Sequence, residues 1–432
     1  MGKREDEADR RLEEYVERLS SVIGHADRVE PMIAYLTGLL LPGKRKSVEP
    51  MAAKVDPRHA SARHQSMHHF VANSPWDEQE VLSVARDYAL VQLERHAPIG
   101  AWVIDDTSVP KKGNESVGVA RQYCGALGKR ANCQVAVSIS LANNVMSIPA
   151  GYRLYLPKSW TDKRQRCRRV GVPKQIEFKK KWQIALEQIG HLIEEMIPLA
   201  PVVADAGYGV ITDFRDGVTA KGLSYAVGIT ESTTVWPPGM APLPPAPRTR
   251  KGGRAPALLR RTANHKPLPV SELAKSLPRK AWRNVHWREG VKGAMKSRFA
   301  MVRVRAAHRD TKRREPRPLE WLLVEWPRGE KKPTKFWLSS VPEDVSIEEL
   351  VGLVKIRWRI ERDYQEMKDE LGLDHYEGRG WRGFHHHGVL CIAAYAFLIA
   401  ERARLSPPEA LAFLHAPDVP EGFSPRGSPT TS

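Results

Sequence analysis

Two short apolar runs in this sequence each end on acidic residues. AWVIDD places Asp105 and Asp106 after a β-branched run, and PVVAD places Asp205 after another. Such runs are typical of buried strands; between them lie two alternating strands around an Asn-Asn turn at 143–144 and a helical pattern over about 173–196. The order strand, hairpin, helix, strand predicts an α/β domain with a mixed sheet.

The regions before and after this α/β pattern differ from it in composition and in the spacing of their apolar residues. Residues 1–98 predict helices broken by loops, because apolar positions recur at helical spacing over 12–41 and again over 76–96. Residues 231–340 combine a Pro-, Gly- and Arg-rich stretch with strand-like runs such as RFAMVRVRAAH and LEWLLVEW. This combination predicts an inserted β-rich lobe with a mobile basic loop over about 237–256.

The α/β pattern resumes over 341–405, after the insertion. A helix is predicted over about 346–371, opened by a capping box of Ser346 and Glu349, and a last apolar helix over about 386–404. Residues 406–432 predict a disordered tail.

A surplus of basic residues narrows the range of partners. Lys and Arg number 68 against 50 Asp and Glu, a formal charge of +18, which favours a polyanion, with nucleic acid as the first candidate. The helical region 1–98 carries basic and histidine-rich segments that predict DNA binding, with a plain solvated face as the alternative. A second basic run either follows a DNA backbone or is a flexible solvated loop: Arg248, Arg250, Lys251, Arg254, Arg260 and Arg261.

Other features argue against whole classes of protein. The N-terminus lacks the apolar core of a signal peptide, and no later run approaches the roughly 20 apolar residues of a membrane span, which predicts a cytoplasmic protein. The glycine pair at 252–253 has no GxxxxGK[ST] context, so no use of ATP is expected. The four cysteines form no CxxC pair, which predicts reduced packing residues.

The acids at the strand ends suit one particular chemistry. Two-metal phosphoryl transfer uses carboxylates to hold a pair of Mg²⁺ ions about 4 Å apart, and strand-end acids converge with an acid from a helix packed across them. Asp106 and Asp205 each have a structural alternative as a turn or cap residue. Spacing alone does not choose among the acids of the helix: Glu361, Asp363, Glu366, Asp369 and Glu370.

The string RWRIERDYQEMK narrows this choice. Arg357, Glu361 and Lys368 stand in the pattern R-x3-E-x6-K, which resembles the C-terminal catalytic signature of bacterial insertion-sequence transposases with a DDE active site. That signature usually begins with a Tyr three residues before the Arg, where this chain has Val354. The resemblance singles out Glu361 as the third carboxylate.

Two further motifs resemble the same family. Asp205, Gly207 and Tyr208 match its Asp-x-Gly-Tyr/Phe motif, and Asp106 with Thr107 matches its strand ending in Asp-Thr. The resemblance leaves Asp105 as an alternative to Asp106, which we favour because it directly precedes the threonine.

Together with VIDDTSVPKKG, LYLPKSWTD and LGLDHYEGRGWRGFHHH, these motifs extend the resemblance from about residue 46 to 405, toward a subgroup with a DDE-superfamily endonuclease domain. It implies a ribonuclease-H-like catalytic domain, divided into 99–230 and 341–405 by the β-rich insertion at 231–340. Glu361 follows Asp205 by 156 positions, which leaves room for such a lobe.

The family resemblance also implies a function. Hydrolysis at a transposon end frees a 3′-hydroxyl, which then attacks the other strand or a target DNA in line. The cofactors implied are two Mg²⁺ ions, with Mn²⁺ able to replace them, and the partners are terminal inverted repeats and target DNA, bound by a homodimer. A bacterial, nucleoid-associated location follows. The DNA contacts implied are Arg357, Lys368, Tyr208, Trp381 and Arg382.

Two alternatives to an active transposase remain. One is a nuclease of the same fold that has lost transposition, and the other is a non-catalytic DNA-binding protein derived from a transposase. The complete set of Asp, Asp and Glu with its Arg and Lys weighs against the second. Three adjacent histidines at 385–387 invite a zinc site, but neighbouring side chains point different ways, so packing or contact with a DNA backbone is preferred.

Overall fold

The computed structural model describes residues 2–247, 256–290 and 293–405, which form two compact units. Within those residues the first unit comprises the chain up to Ile197 and from Trp358 onward, and the second comprises Pro198–Arg357. The predicted tail and the central part of the predicted mobile loop lie outside the described residues. The domain boundaries drawn from the sequence stay predictions.

The helices are α1 (Gly2–Ser21), α2 (Val29–Leu40), α3 (Val48–Val55), α4 (Ala60–Ala72), α5 (Glu78–Glu94), α6 (Lys158–Thr161), α7 (Arg164–Arg169), α8 (Lys181–Glu194), α9 (Ala206–Gly209), α10 (Thr212–Ala220), α11 (Val270–Ser276), α12 (Ile347–Lys355), α13 (Trp358–Leu371) and α14 (Trp381–Leu405). The strands are β1 (Ala101–Pro110), β2 (Ala120–Cys124), β3 (Lys129–Ala142), β4 (Ser147–Leu154), β5 (Val202–Ala204), β6 (Tyr225–Ile229), β7 (Thr234–Trp236), β8 (Leu268–Pro269), β9 (Trp282–Gly290), β10 (Gly293–Ala306), β11 (Glu320–Glu325) and β12 (Lys335–Ser339).

An antiparallel sheet organises the first unit. β3 is long enough to pair with β1 on one side and, on the other, with β2 near its start and β4 near its end. The predicted hairpin turn is confirmed: the Asn143 side chain accepts hydrogen bonds from Val145 N and Met146 N at 2.9 and 2.7 Å. Its amide nitrogen donates to Leu93 O and Ala97 O, which ties the turn to the end of α5.

Helices α1, α2, α4 and α5 pack against α14, which explains why that helix is apolar on nearly every side. Tyr15 of α1 donates from its hydroxyl to Ala393 O at 2.8 Å, and Arg11 pairs with Glu401 at 2.6 Å. The predicted last helix is confirmed and begins earlier, at Trp381. No helix among the described residues is both long and apolar enough to cross a membrane.

The second unit contains a mixed sheet. β5 and β6 are parallel, and β12, β11 and β10 continue antiparallel, with β7 and β9 both pairing with β10. Alternate residues of β11 serve opposite faces: Leu322 and Val324 pack with α11, whereas Leu323 packs with α12. The prediction of an α/β protein with a mixed sheet is confirmed, and the runs predicted as strands form β10 and β11.

The predicted helix over 346–371 is two helices, interrupted at Ile356 and Arg357. The capping box at its start is confirmed, since Ser346 and Glu349 exchange hydrogen bonds of 2.7 and 3.1 Å. The apolar side of α12 belongs to the core of the second unit, and that of α13 belongs to the first. The helical period is therefore continuous in the sequence although its two halves pack in different units.

Candidate active site

The acidic pair of the first unit lies within β1 and not at its end. The strand continues to Pro110, because β3 supplies paired residues along its whole length, with Asp105 opposite Ser138 and Asp106 opposite Val137. Adjacent residues of a strand point to opposite faces of the sheet. Asp105 and Asp106 therefore belong to different surroundings.

The face of β1 that carries Asp106 is covered by α8. Asp106 Oδ2 accepts a hydrogen bond from Lys181 Nζ at 2.6 Å. On the same face Arg153, which lies opposite Val137, pairs with Glu187 of α8 at 2.7 Å. Burial raises the pKa of the nearby Tyr155 hydroxyl, and the negative charge of Asp106 adds to this shift. Asp106 thus has a counter-charge within the unit.

The face that carries Asp105 is covered by α13. Ser138 lies opposite Asp105 and Tyr152 lies opposite Ser138, so all three side chains share this face. The Tyr152 ring stacks at 6.4 Å on that of Tyr364, a buried residue of α13. Burial raises the pKa of Tyr364, and the nearby charges of Asp363 and Asp105 raise it further.

Glu361 lies on α13 and is exposed. Tyr364 and Lys368 follow it by three and seven residues, a spacing that places all three on one side of a helix. Lys368 Nζ donates to Ser108 O of β1 at 3.0 Å, and burial lowers the pKa of this ammonium group. Within the first unit, Glu361 therefore shares its side of the sheet with Asp105.

Asp205 lies in the second unit, at the N-terminus of the short helix α9. Its Oδ1 accepts hydrogen bonds from Gly207 N at 2.8 Å and Tyr208 N at 3.3 Å, so the turn anticipated as the structural alternative is present. A Cβ on Gly209 would lie 1.9 Å from the carbonyl oxygen of Gly228 in β6. Only glycine permits this close approach, which fixes the position of Asp205 against the strand.

The predicted DNA contacts differ in exposure. Arg382 is exposed, and its guanidinium donates to Asn73 O at 2.7 Å, whereas Arg357 is half-buried in the turn before α13. Tyr208 is only 4% exposed and packs on Phe214, and Trp381 is 8% exposed. The last two side chains pack within their own units, and the DNA contacts expected of all four residues, and of Lys368, stay predictions.

The three adjacent histidines of α14 are packing residues. His385, His386 and His387 are all buried, and each ring contacts backbone carbonyl or amide groups of the first unit. The His386 ring stacks on Trp76 at 3.5 Å, and His387 bonds to the Tyr35 hydroxyl at 2.9 Å. Their burial agrees with packing, one of the two roles that the sequence analysis preferred for them.

The cysteines follow the same pattern as the histidines. Each is a free thiol and is buried, as predicted for reduced packing residues, and they are Cys124, Cys133, Cys167 and Cys391. Within the described part of each unit taken separately, no three His, Cys, Asp or Glu side chains are grouped to hold a metal ion.

A dense basic segment, residues 158–181, is a feature that the sequence motifs did not single out. It contains ten Lys and Arg and only two acids. Its charge density was visible in the sequence, but the contacts that give it a fixed conformation are long-range ones. Trp160, for example, is fully buried and donates from Nε1 to Val119 O at 2.8 Å.

The acidic residues of β1 and α13 offer carboxylate oxygens, the ligands that divalent metals such as Mg²⁺ prefer. The family model described as DDE superfamily endonuclease matches residues 18–294, and the chain belongs to this family. The matched region includes Asp105, Asp106 and Asp205 but ends before Glu361. The family predicted from the motifs is confirmed.

A curated relative carries a related description. Over 147 residues the chain is 31% identical to a protein described as a probable transposase for insertion sequence element IS701, from Microchaete diplosiphon. The similarity covers 34% of this chain and 37% of the relative. The chain therefore matches little more than a third of that protein's length.

Proposed function

We propose that this protein is a DNA transposase, which cuts DNA at the ends of a mobile element and joins those ends to a target. Its membership of the DDE endonuclease family carries the proposal, together with the acid-bearing helix α13 packed across the acid-bearing strand β1. The relative described as a probable transposase adds support over the part that it matches.

The proposed catalytic carboxylates are one member of the pair at 105–106, with Asp205 and Glu361. The Asp-Thr motif supports Asp106, as the sequence predicts. The strand geometry supports Asp105 instead, because Asp105 is on the side of β1 that α13 covers, whereas Asp106 pairs with Lys181 on the other side. We therefore propose Asp105 as the first ligand, and the choice is testable by substitution.

The donor set suits hard divalent cations. Asp105, Asp205 and Glu361 offer only carboxylate oxygens, which Mg²⁺ prefers and Mn²⁺ also accepts. The two bonds that cap α9 are both accepted by Oδ1 of Asp205. When bound, two such ions would activate the attacking oxygen and stabilise the leaving oxygen of an in-line displacement.

The reaction proceeds by two displacements at phosphorus. Hydrolysis consumes one water and leaves a 3′-hydroxyl on one DNA end and a 5′-phosphate on the other. In the joining step that 3′-hydroxyl forms the new phosphodiester, and the displaced oxygen leaves as a 3′-hydroxyl of the target. Arg357 and Arg382 are proposed to hold phosphates beside the reacting strand. The ammonium of Lys368 holds α13 to β1 and positions the helix that carries Glu361.

A ribonuclease-H-like catalytic domain is part of this proposal. Its support is the chain order of β1, the antiparallel pair β3 and β4, helix α8 and then the parallel pair β5 and β6. Further parts of the proposal are binding of terminal repeats and target DNA by a homodimer, without ATP. A cytoplasmic, nucleoid-associated location belongs to it as well. A nuclease without transposition, or a DNA-binding protein without chemistry, is the competing function.

Cleavage of the DNA that flanks the gene tests the proposal. Labelled duplexes from both flanks, incubated with the protein and Mg²⁺, are expected to be cut at one defined position. Glu361→Gln and Asp205→Asn should abolish cutting, whereas Glu370→Gln, an exposed acid of the same helix, should retain it. Cutting by Glu361→Gln at the wild-type rate would contradict the assigned site. Cutting without joining would favour the nuclease.

A further inference from the structure

The basic segment, residues 158–181, differs from an ordinary charged linker because it is anchored. Trp160 in α6 is fully buried, and Cys167 in α7 is buried and donates from Sγ to Trp160 O at 3.2 Å. The Arg166 guanidinium lies 3.6 Å from the centre of the Trp160 ring. Val170 O accepts a hydrogen bond from Trp381 N at 2.8 Å. These contacts hold the segment in place at α6, at α7 and at Val170.

Most of its cations are exposed and have no acidic partner. Lys179 pairs with Glu187, and Lys181 pairs with Asp106. Among the residues that the structure describes, seven other cations of the segment are exposed and take part in no ion pair: Lys158, Lys163, Arg164, Arg168, Arg169, Lys174 and Lys180. A fixed backbone thus presents concentrated positive charge to the solvent.

The surrounding chain does not offset this charge. No acidic residue occurs between Ser116 and Thr161, the stretch that supplies β2, β3 and β4. Like charges held close together repel one another, and the repulsion favours a bound polyanion. An anchored surface also loses less conformational entropy on binding than a flexible one.

The segment offers charge without exposed aromatic rings. Trp160 is buried beneath Arg166, and Phe178 is half-buried with the Lys158 ammonium 5.2 Å from its centre. Proteins that hold single strands usually add aromatic side chains on which bases stack. Charge alone instead fits the regularly spaced phosphates of a duplex, bound without reference to sequence.

The segment ends on β1, the strand that carries the acidic pair. Its last residue, Lys181, pairs with Asp106 on the face of β1 opposite that of Asp105, and Trp160 donates to the loop between β1 and β2 at Val119. We propose that residues 158–181 bind the phosphate backbone of duplex DNA beside this strand. This inference rests on the proposed function, and it names the surface of the first unit that holds the substrate.

Salt-dependent binding tests this surface. A fluorescent DNA duplex of arbitrary sequence is titrated with full-length protein in EDTA, which separates binding from cleavage. The test variant is Arg168→Gln/Arg169→Gln/Lys174→Gln. The control, Lys221→Gln/Arg279→Gln/Lys280→Gln, removes equal charge from exposed, unpaired sites of the second unit among the described residues.

The test variant is expected to bind at least about tenfold more weakly than wild type at about 100 mM salt. The slope of log affinity against log salt should fall by about 2 to 3, since each lost phosphate contact removes about 0.9. The control should keep the wild-type slope within about 1. Thermal unfolding checks that both variants are folded.

The outcomes separate this inference from the proposed function. Wild-type slopes in the test variant, or equal losses in test variant and control, would overturn the assigned surface while leaving the transposase proposal intact. Tighter wild-type binding to single-stranded DNA than to the duplex would overturn the choice of ligand. Failure of the wild-type protein to bind any DNA would contradict the proposed function itself.

Discussion

The two faces of β1 treat charge in different ways. On the face under α8, acids meet bases of the same unit: Asp106 lies 2.6 Å from Lys181, and Glu187 lies 2.7 Å from Arg153. These side chains are about a third exposed, and such pairs stabilise a fold only slightly. Both of these acids thus have a counter-charge from their own unit.

Beneath α13, by contrast, a buried carboxyl is met by hydroxyl groups. Asp363 accepts hydrogen bonds from Ser147 Oγ at 2.8 Å and from the Tyr395 hydroxyl at 3.1 Å. Burial raises the pKa of Asp363 to about 7. The comparison shows that acidic side chains have a basic partner on the α8 face, whereas the buried carboxyl under α13 has hydroxyl donors.

The largest expected effect comes from exchanging the acids of β1 one at a time. Asp105→Asn should lower DNA cleavage by about 10³-fold or more, as is usual when a catalytic carboxylate is removed. Asp106→Asn should lower it much less, because its neighbour on α8 is Lys181. Single-turnover cleavage rates at saturating Mg²⁺ measure both. A larger loss of cleavage for Asp106→Asn than for Asp105→Asn would instead assign Asp106 as the metal ligand, and would contradict the contrast drawn between the two faces.

The second effect concerns the stability of the α13 side as a function of pH. A carboxyl with a raised pKa stabilises the folded state fully below its unfolded value near 4, and this contribution is lost as the pH rises through about 7. The Asp363→Asn variant mimics the neutral acid. As the pH rises from 4 to 8, its free energy of unfolding should therefore increase relative to that of wild type by up to about 3 to 4 kcal/mol. Urea unfolding across this range provides the measurement. A constant difference between the two proteins would show that Asp363 stays ionised.

His387 of α14 should produce a somewhat smaller effect of the opposite sign. Its Nε2 donates to Gly372 O and its Nδ1 accepts from Tyr35, so the neutral ring is satisfied, and burial lowers its pKa to about 4. Stability is then lost as the pH falls from about 6.5 toward 4.

The unfolding free energy of His387→Gln should depend less steeply on pH than that of wild type in this acid range. The two slopes of unfolding free energy against pH should differ by the equivalent of close to one bound proton. His25→Gln, at an exposed histidine, supplies the control and should leave the slope unchanged. Equal slopes for His387→Gln and wild type would mean that His387 is not kept neutral in the fold.

Local pattern was sufficient for much of the fold. The hairpin turn at Asn143, the capping box of α12 and the strands β10 and β11 each depend on residues close together in the chain, and each was predicted. The family was predicted from short motifs for the same reason, and the same motifs support Asp205 and Glu361, whose roles stay predictions. Local chemistry is readable where the partners are neighbours in sequence.

The structural features that the sequence did not predict depend on contacts between residues far apart in the chain. The end of β1 at Pro110 is set by the length of β3. The break at Ile356 arises because α12 packs in the core of the second unit, whereas α13 packs in the first. The face of Asp105 depends on strand register and on the helix packed above it. The fixed conformation of the basic segment depends on Trp160, whose bond to Val119 spans 41 residues.

The smallest expected effect falls on the α8 face. Lys181→Gln removes the ion pair with Asp106, whose side chain is 30% exposed, so the loss of unfolding free energy should be below about 1 kcal/mol. Cleavage should stay within about threefold of wild type if Asp106 only balances charge, since exposed pairs contribute little. A large loss of cleavage without a loss of stability would instead mean that Lys181 positions a reacting carboxylate. Comparing the rate of this variant with that of Asp105→Asn therefore decides which face of β1 performs the chemistry.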